Sequence, residues 1–289
     1  MDLTGAEEAE LVAELRAGGS VFAEEELAEL LGHARAATLP AGWERIDLLD
    51  RLVERRVDGE PIEHIVESAQ FGELRVAVHH RVFVPRRRTV LLATVVAARL
   101  REVADARAGA GGAARAPRLL DFGCGSGAIA ALAAHRVPGI EVVAIDADEW
   151  AVDCARVNLP GALVVHASTI DALAASQADA PGRTPASALF DVIAANLPYV
   201  PTEQLALLPH GTLDSEPRLA LDGGDDGLDP LGEHAHSMAA WLLDGGIAVT
   251  EVAPHQVDRA IEIFALSGFA SIEVRSDDEL GATVVVATR

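Results

Sequence analysis

The 289-residue chain predicts an α/β fold, a doubly wound and mostly parallel sheet of seven strands, preceded by a small helical unit and a β-hairpin. Three observations predict it. From residue 117 onward, apolar runs of strand length alternate with stretches of helix length, as expected for parallel strands joined by crossover helices. Before residue 67, apolar residues recur at helical spacing. Between the two lies a short stretch with a period of two.

Taken in order, residues 1–67 read as helices. Leu11, Leu15, Val21, Leu27 and Leu30-Leu31 recur among Glu and Ala, and a second amphipathic stretch runs from Trp43 to Val57. Pro61 restarts the chain after Gly59. Over 71–85, Leu74, Val76 and Val78 alternate, and Val82, Phe83 and Val84 follow His79-His80. That pattern predicts a hairpin closed by Pro85. Residues 88–105 return to a helix, and 106–116, rich in Ala and Gly, read as a surface loop. Strands are expected at 118–122, 141–146, 162–166, 190–195, 246–251, 270–275 and 282–288. Helices fit 127–136, 148–158, 229–243 and 254–267, the third opened by Asp229-Pro230. Residues 174–188 read as a second loop.

Bulk properties exclude several classes. The net charge of −22 argues against a duplex DNA binder, which needs a basic face to replace counterions. All 23 basic residues are arginine, and Arg86-Arg87-Arg88 is the one short basic cluster. It reads either as a solvated turn or as a contact for RNA or an acidic substrate surface. No apolar run reaches the roughly 18–20 residues that span a bilayer. The acidic start lacks the basic region of a signal peptide. Cys124 and Cys154 form no disulfide framework and no zinc spacing. The paired histidines, His79-His80 and His234 with His236, lack a third ligand and read as surface residues, so no metal is expected. A cytoplasmic protein is the simplest expectation.

Leu119-Leu120-Asp121-Phe122 leads into Gly123-Cys124-Gly125-Ser126-Gly127. Glycine permits positive φ and close approach of backbone to a ligand, and the next helix opens with free amides. The spacing is G-x-G-x-G, not the dinucleotide G-x-G-x-x-G. Asp146 ends the next strand, where a carboxylate can accept both hydroxyl protons of a ribose. A capping role for Asp146 or Asp148 is compatible with this.

Asn196-Leu197-Pro198-Tyr199 follows the apolar run that ends at Ala195. An amide nitrogen is a poor nucleophile because its lone pair is delocalised into the carbonyl. Acceptors on its two N–H groups oppose that delocalisation. The Asn196 side-chain oxygen can take one and the Leu197 carbonyl the other. Pro198 stiffens the loop, and Tyr199 can pack on the planar group. Glycine turn, acidic strand end and Asn-x-Pro-Tyr occur in the order of an adenosylmethionine fold. They point to methyl transfer onto a planar nitrogen, with orientation as the main catalytic contribution.

The chain resembles the HemK/PrmC-type protein-(glutamine-N5) methyltransferases over roughly residues 59–289. The resemblance is carried by Gly59-Glu60-Pro61-Ile62-Glu63-His64-Ile65, Val82-Phe83-Val84-Pro85-Arg86, the turn 121–130, and Glu216-Pro217-Arg218-Leu219-Ala220-Leu221 with Gly223-Gly224-Asp225-Asp226-Gly227-Leu228-Asp229. It implies a class I SAM-dependent methyltransferase in three parts: a helical substrate-recognition domain (1–67), a hairpin linker (68–87) and a methyltransferase domain (88–289). It implies S-adenosyl-L-methionine as cofactor, S-adenosyl-L-homocysteine as product, and a protein substrate. That substrate is a peptide-chain release factor methylated at a Gly-Gly-Gln motif, or a related translation protein. Candidate cofactor residues are Phe83, Arg86, Asp121, Gly123, Gly125, Gly127, Asp146, Ala147, Ser168 and Asn196. Candidate transfer residues are Asn196, Leu197, Pro198 and Tyr199. Three departures mark a divergent branch. Leu197 replaces a proline of the family's N-P-P-Y. Pro85-Arg86-Arg87-Arg88-Thr89-Val90 stands for P-R-P-E-T-E. Ser168 stands for the acidic residue near adenine. Alternatives are N-methylation of a small molecule in secondary metabolism, N6-adenine methylation of nucleic acid, and a non-catalytic scaffold.

Overall fold

A computed structural model describes residues 3–39, 44–109, 115–174, 189–208, 213 and 215–289. Helices α1 (Gly5–Ala17), α2 (Ala23–Ala36) and α3 (Arg45–Val57) enclose their own core of Leu15, Leu27, Leu30, Leu49 and Leu52. Thr4 starts α1 with a capping box to Glu7. Val21 departs from its expected place in the helical repeat. It lies in the turn between α1 and α2 and is 83% exposed. Trp43, the expected start of α3, lies outside the described residues.

A single turn, α4 (Ile62–Ile65), adds Ile65 and Val66 to that core and buries His64. The hairpin then differs from its expected register. It pairs β1 (Ser68–Phe71) with β2 (Leu74–Ala77) around Gly72, whose φ is 57°. Val82, Phe83 and Val84 are not a strand. Their backbone is held by side chains: His64 Nε2 donates to the Val82 carbonyl (2.8 Å), and the Val84 N–H donates to Glu216 (3.0 Å). Glycine at 72 allows the tight reversal, which the period-two pattern alone did not locate. Glu67, exposed just before β1, has φ 54°. A non-glycine residue there is strained, so Glu67→Gly is expected to raise stability by about 0.5–1 kcal/mol. Urea unfolding midpoints would check this, and a loss of stability would reject it.

The 20-residue helix α5 (Val90–Gly109) runs four residues into the expected 106–116 loop. Residues 110–114 of that loop, and 175–188 of the second, lie outside the described residues. The sheet contains β3 (Arg118–Phe122), β4 (Glu141–Asp146), β5 (Leu163–His166), β6 (Phe190–Ala195), β7 (Leu242–Glu251), β8 (Ser271–Asp277) and β9 (Ala282–Thr288). Its order is β5-β4-β3-β6-β7-β9-β8, with β9 antiparallel to both neighbours. Every residue of β3 and β6 is buried, as central strands covered on both faces require. Covering helices are α6 (Ala128–Arg136), α7 (Glu149–Asn158), α8 (Asp229–Trp241) and α9 (Val257–Leu266). The expected seven-stranded, mostly parallel sheet is present.

Strand β7 begins at Leu242, four residues earlier than expected. Gly245, at φ 75°, does not end the strand but sits in an irregularity where the β6–β7 register shifts. Edge strand β8 exposes Glu273 and Arg275, which blunt it against further pairing. Among the described residues no helix is long and apolar enough to cross a membrane.

Candidate active site

Strand order reverses between β3 and β6, and a doubly wound sheet opens a crevice at the C-terminal ends of the strands flanking such a point. A cavity of about 610 Å³ lies there, within the size range of small-molecule sites. It is lined by Phe83, Arg86, Gly123, Gly125, Asp146, Ala147, Ser168, Asn196, Leu197, Pro198 and Tyr199. The structure therefore gathers eleven of the thirteen residues singled out in the sequence.

The two others stand behind the wall. Asp121 is fully buried under the glycine turn, and its Oδ2 accepts the Ala130 N–H (3.1 Å). Burial pushes its carboxyl up to about 7, aided by Asp146 and opposed by the Ala130 bond. Its role is to tie the start of α6 to β3. Gly127 caps α6 at φ 78°, where an added Cβ would come within 2.9 Å of Leu159. It is a packing glycine.

Gly123 and Gly125 have φ of 67° and 54°. The N–H groups of Gly123 and Cys124 donate to the Ile145 carbonyl (2.9 and 3.0 Å), which fastens the turn to β4. A Cβ on Gly125 would meet nothing within 4 Å, so open space lies over this glycine. Asp146 accepts the Gly125 N–H through Oδ2 (2.8 Å) and the Asp148 N–H through Oδ1 (2.9 Å). Each oxygen keeps a lone pair for a ligand. Burial raises its pKa and the backbone bonds lower it. A polar backbone cradle beside an anchored carboxylate can hold a nucleoside.

Asn196 follows β6 directly, and its Oδ1 is a buried acceptor with no partner among the described residues. Such an orphan is unfavourable in the free protein and is suited to a ligand donor. Leu197 is 8% exposed and packs in the core beside Phe122 and Leu228. Burial of this side chain anchors the loop where the sequence lacks a second proline. Val200 pairs with the segment Leu221–Gly223. Gln256 Nε2 donates to the carbonyls of Tyr199 (2.9 Å) and Asp226 (3.1 Å). The sequence stretch around Gly227 thus buttresses Tyr199 from behind.

Several partners were not visible in the sequence. Arg86 pairs with buried Glu216 (2.6 Å) and lies over the Phe83 ring (4.8 Å). Burial raises the Glu216 carboxyl, while Arg86 and the Val84 N–H oppose the rise. Arg88, read as a possible solvated turn residue, donates to Tyr199 Oη (2.9 Å) and to Glu251 (2.9 Å). Tyr199 Oη in turn donates to Glu251 (2.8 Å). Burial, then Glu251, pushes the tyrosine pKa upward, so it stays a neutral donor. His234 is not a free surface residue. It lines the cavity, edge-on to Phe122 at 4.8 Å, and burial lowers its pKa. Its sequence context, a histidine on an amphipathic helix, carried no signal of this.

Known proteins extend the picture. A family model for ribosomal protein L11 methyltransferase matches residues 111–213. A release factor glutamine methyltransferase of Chlorobaculum tepidum is 34% identical, over 94% of this chain and 87% of the relative. One from Mycolicibacterium smegmatis is 32% identical, over 85% and 81%. Among solved structures, a T. thermophilus 16S rRNA N2 G1207 methyltransferase, in complex with AdoMet and guanosine, has a TM-score of 0.51 at 20% identity, covering 77% of this chain and 49% of that one.

Proposed function

The chain belongs to the release factor glutamine methyltransferase family, and from that premise we propose that it methylates the side-chain amide nitrogen of a glutamine in a peptide-chain release factor. The fold is that of class I adenosylmethionine-dependent methyltransferases, and the cofactor is S-adenosylmethionine. The observation that carries the reading is the unpartnered Asn196 oxygen on the wall of a cavity that also holds the glycine turn and Asp146.

When bound, the cofactor supplies an electrophilic methyl group on a sulfonium. Gly123, Gly125, Asp146 and Ala147 would hold its nucleoside, with Ser168 and Phe83 on the flanking walls. The open space over Gly125 and the spare lone pairs of Asp146 fit such a guest. Asn196 Oδ1 accepts one N–H of the substrate amide. The Leu197 carbonyl, which accepts no hydrogen bond among the described residues, takes the other. With both N–H groups held, the nitrogen lone pair is turned out of conjugation and toward the cavity. Tyr199, fixed through its hydroxyl and its carbonyl, offers its ring to the planar amide. Most of the rate gain is orientation, and proton loss follows transfer.

The cavity wall includes Leu219, which is 60% exposed, so a side chain carried by a macromolecule can enter from solvent. This supports a protein substrate over a small enclosed one. Helices α1–α3 are assigned to gripping that protein, as a recognition unit over 1–67 joined by 68–87 to the catalytic part at 88–289. A chain of net charge −22 is poorly suited to duplex DNA. Free, buried Cys124 and Cys154 suit the reducing cytoplasm, where translation proteins reside.

The test is incubation with methyl-labelled cofactor and release factors, followed by peptide sequencing. Label on the Gly-Gly-Gln glutamine is expected. Label on an arginine or a nucleobase rejects the amide assignment.

A further inference from the structure

The strand order β5-β4-β3-β6 gives the cavity two ends. Asn196 follows β6 and marks the reacting end. Asp146 closes β4, and β5 lies on the far side of β4. A nucleoside held by its ribose at Asp146, with its sulfonium toward Asn196, therefore directs its base toward the end of β5. Ser168 and Thr169, which follow β5, line the cavity there. Helix α8 is tied to the next residues of that segment: Ser237 Oγ and Trp241 Nε1 both donate to Asp171 at 2.8 Å. As the crossover from β6 to β7, α8 opens at the crevice and runs away from it. His234 stands one turn ahead of Ser237, on the crevice side, and lines the cavity. Its half-buried ring lies edge-on to Phe122, the last residue of β3, and neither ring nitrogen has a hydrogen-bond partner among the described residues. Burial lowers its pKa, against the pull of Glu233 and Asp171. A neutral imidazole offers one N–H and one bare acceptor nitrogen. Adenine differs from an unsubstituted purine by an exocyclic amine, a donor that such a nitrogen can accept.

We propose that His234 is a specificity-determining residue for the cofactor, its acceptor nitrogen taking one N–H of the exocyclic amine of adenine. The imidazole reads the base, while Asp146 holds the sugar and the glycine turn approaches from below. The inference rests on the placement of the nucleoside along Gly123, Gly125 and Asp146 given above. It adds the group that recognises the far end of that nucleoside.

The experiment is calorimetric binding of two ligands, S-adenosylhomocysteine and its analogue with hydrogen in place of the exocyclic amine. Each is titrated into the wild-type protein, His234→Leu and His234→Phe. The second variant keeps an aromatic ring against Phe122 but has no nitrogen, so it decides if His234→Leu does not fold. Wild-type protein is expected to prefer S-adenosylhomocysteine over the analogue. That preference should shrink by about fivefold in either variant, the worth of one neutral hydrogen bond. Affinity for the analogue itself should stay close to the wild-type value. A preference that is the same in the wild-type protein and the variants overturns the inference alone. Asp146→Ala that binds S-adenosylhomocysteine as tightly as the wild-type protein overturns the nucleoside placement, and the inference with it.

Discussion

Asn196→Ala is expected to lower turnover by about 10²- to 10³-fold, the range found when one preorganised polar group of an active site is removed. S-Adenosylhomocysteine affinity should change by no more than about fivefold, since an accepted amide bond is worth only about 1 kcal/mol net. The asymmetry follows from position. Asn196 Oδ1 is buried and unpartnered, which is unfavourable unless a substrate donor meets it. Alanine removes that acceptor and leaves the glycine turn and Asp146 untouched. The amide then rotates freely, and its lone pair returns to conjugation with its own carbonyl. Single-turnover kinetics with labelled cofactor, beside calorimetry with the product, separates the two effects. Turnover that stays at the wild-type level would remove Asn196 from the mechanism.

Gly227→Ala is expected to cost about 3 kcal/mol of stability, combining overpacking with a strained φ. In whatever folds, turnover should fall by at least about tenfold, because small displacements of positioning groups are amplified in the rate. Gly227 has φ 81°, and an added Cβ would lie 2.4 Å from both the Tyr199 carbonyl oxygen and Gln256 Nε2. One of these atoms is backbone and cannot swing aside. The collision pushes on the residue proposed to carry the substrate amide. Gly232→Ala on α8 is the control: nothing lies within 4 Å of its Cβ. It should be neutral or stabilise by up to about 1 kcal/mol through helix propensity. Thermal unfolding and steady-state rates of the pair measure both effects. Equal behaviour of the two variants would sink the account of Gly227 as a buttress.

The parts of the site legible in the sequence are those fixed by local geometry. Gly123 and Gly125 follow a strand, Asp146 ends the next, and Asn196 directly follows the central one. Each sits at a strand's C-terminal end, so the doubly wound topology alone brings them to one crevice. Illegible were pairings across the fold: Arg86 with Glu216, 130 residues apart, and Arg88 with Glu251, 163 apart. Nothing local distinguishes such an arginine from one in a solvated turn. Asp121 and Gly127 erred the other way, since a motif letter does not tell which glycine meets the ligand and which meets Leu159. The hairpin was misplaced because a run such as Val82-Phe83-Val84 suits a strand even where side chains from elsewhere supply its hydrogen bonds. At Gly245 the chain kept a strand going through a residue that usually ends one.

The hold of His64 on the Val82 carbonyl has a further implication. Val82 and Phe83 both form part of the chamber's wall, so one side of that chamber hangs on an imidazole contributed by the leading third of the molecule. Shortening the protein from its front would leave that stretch of wall unmoored. The single turn that carries His64 is thus a structural member of the chemical compartment, and it is packed in turn into the core of the three leading helices.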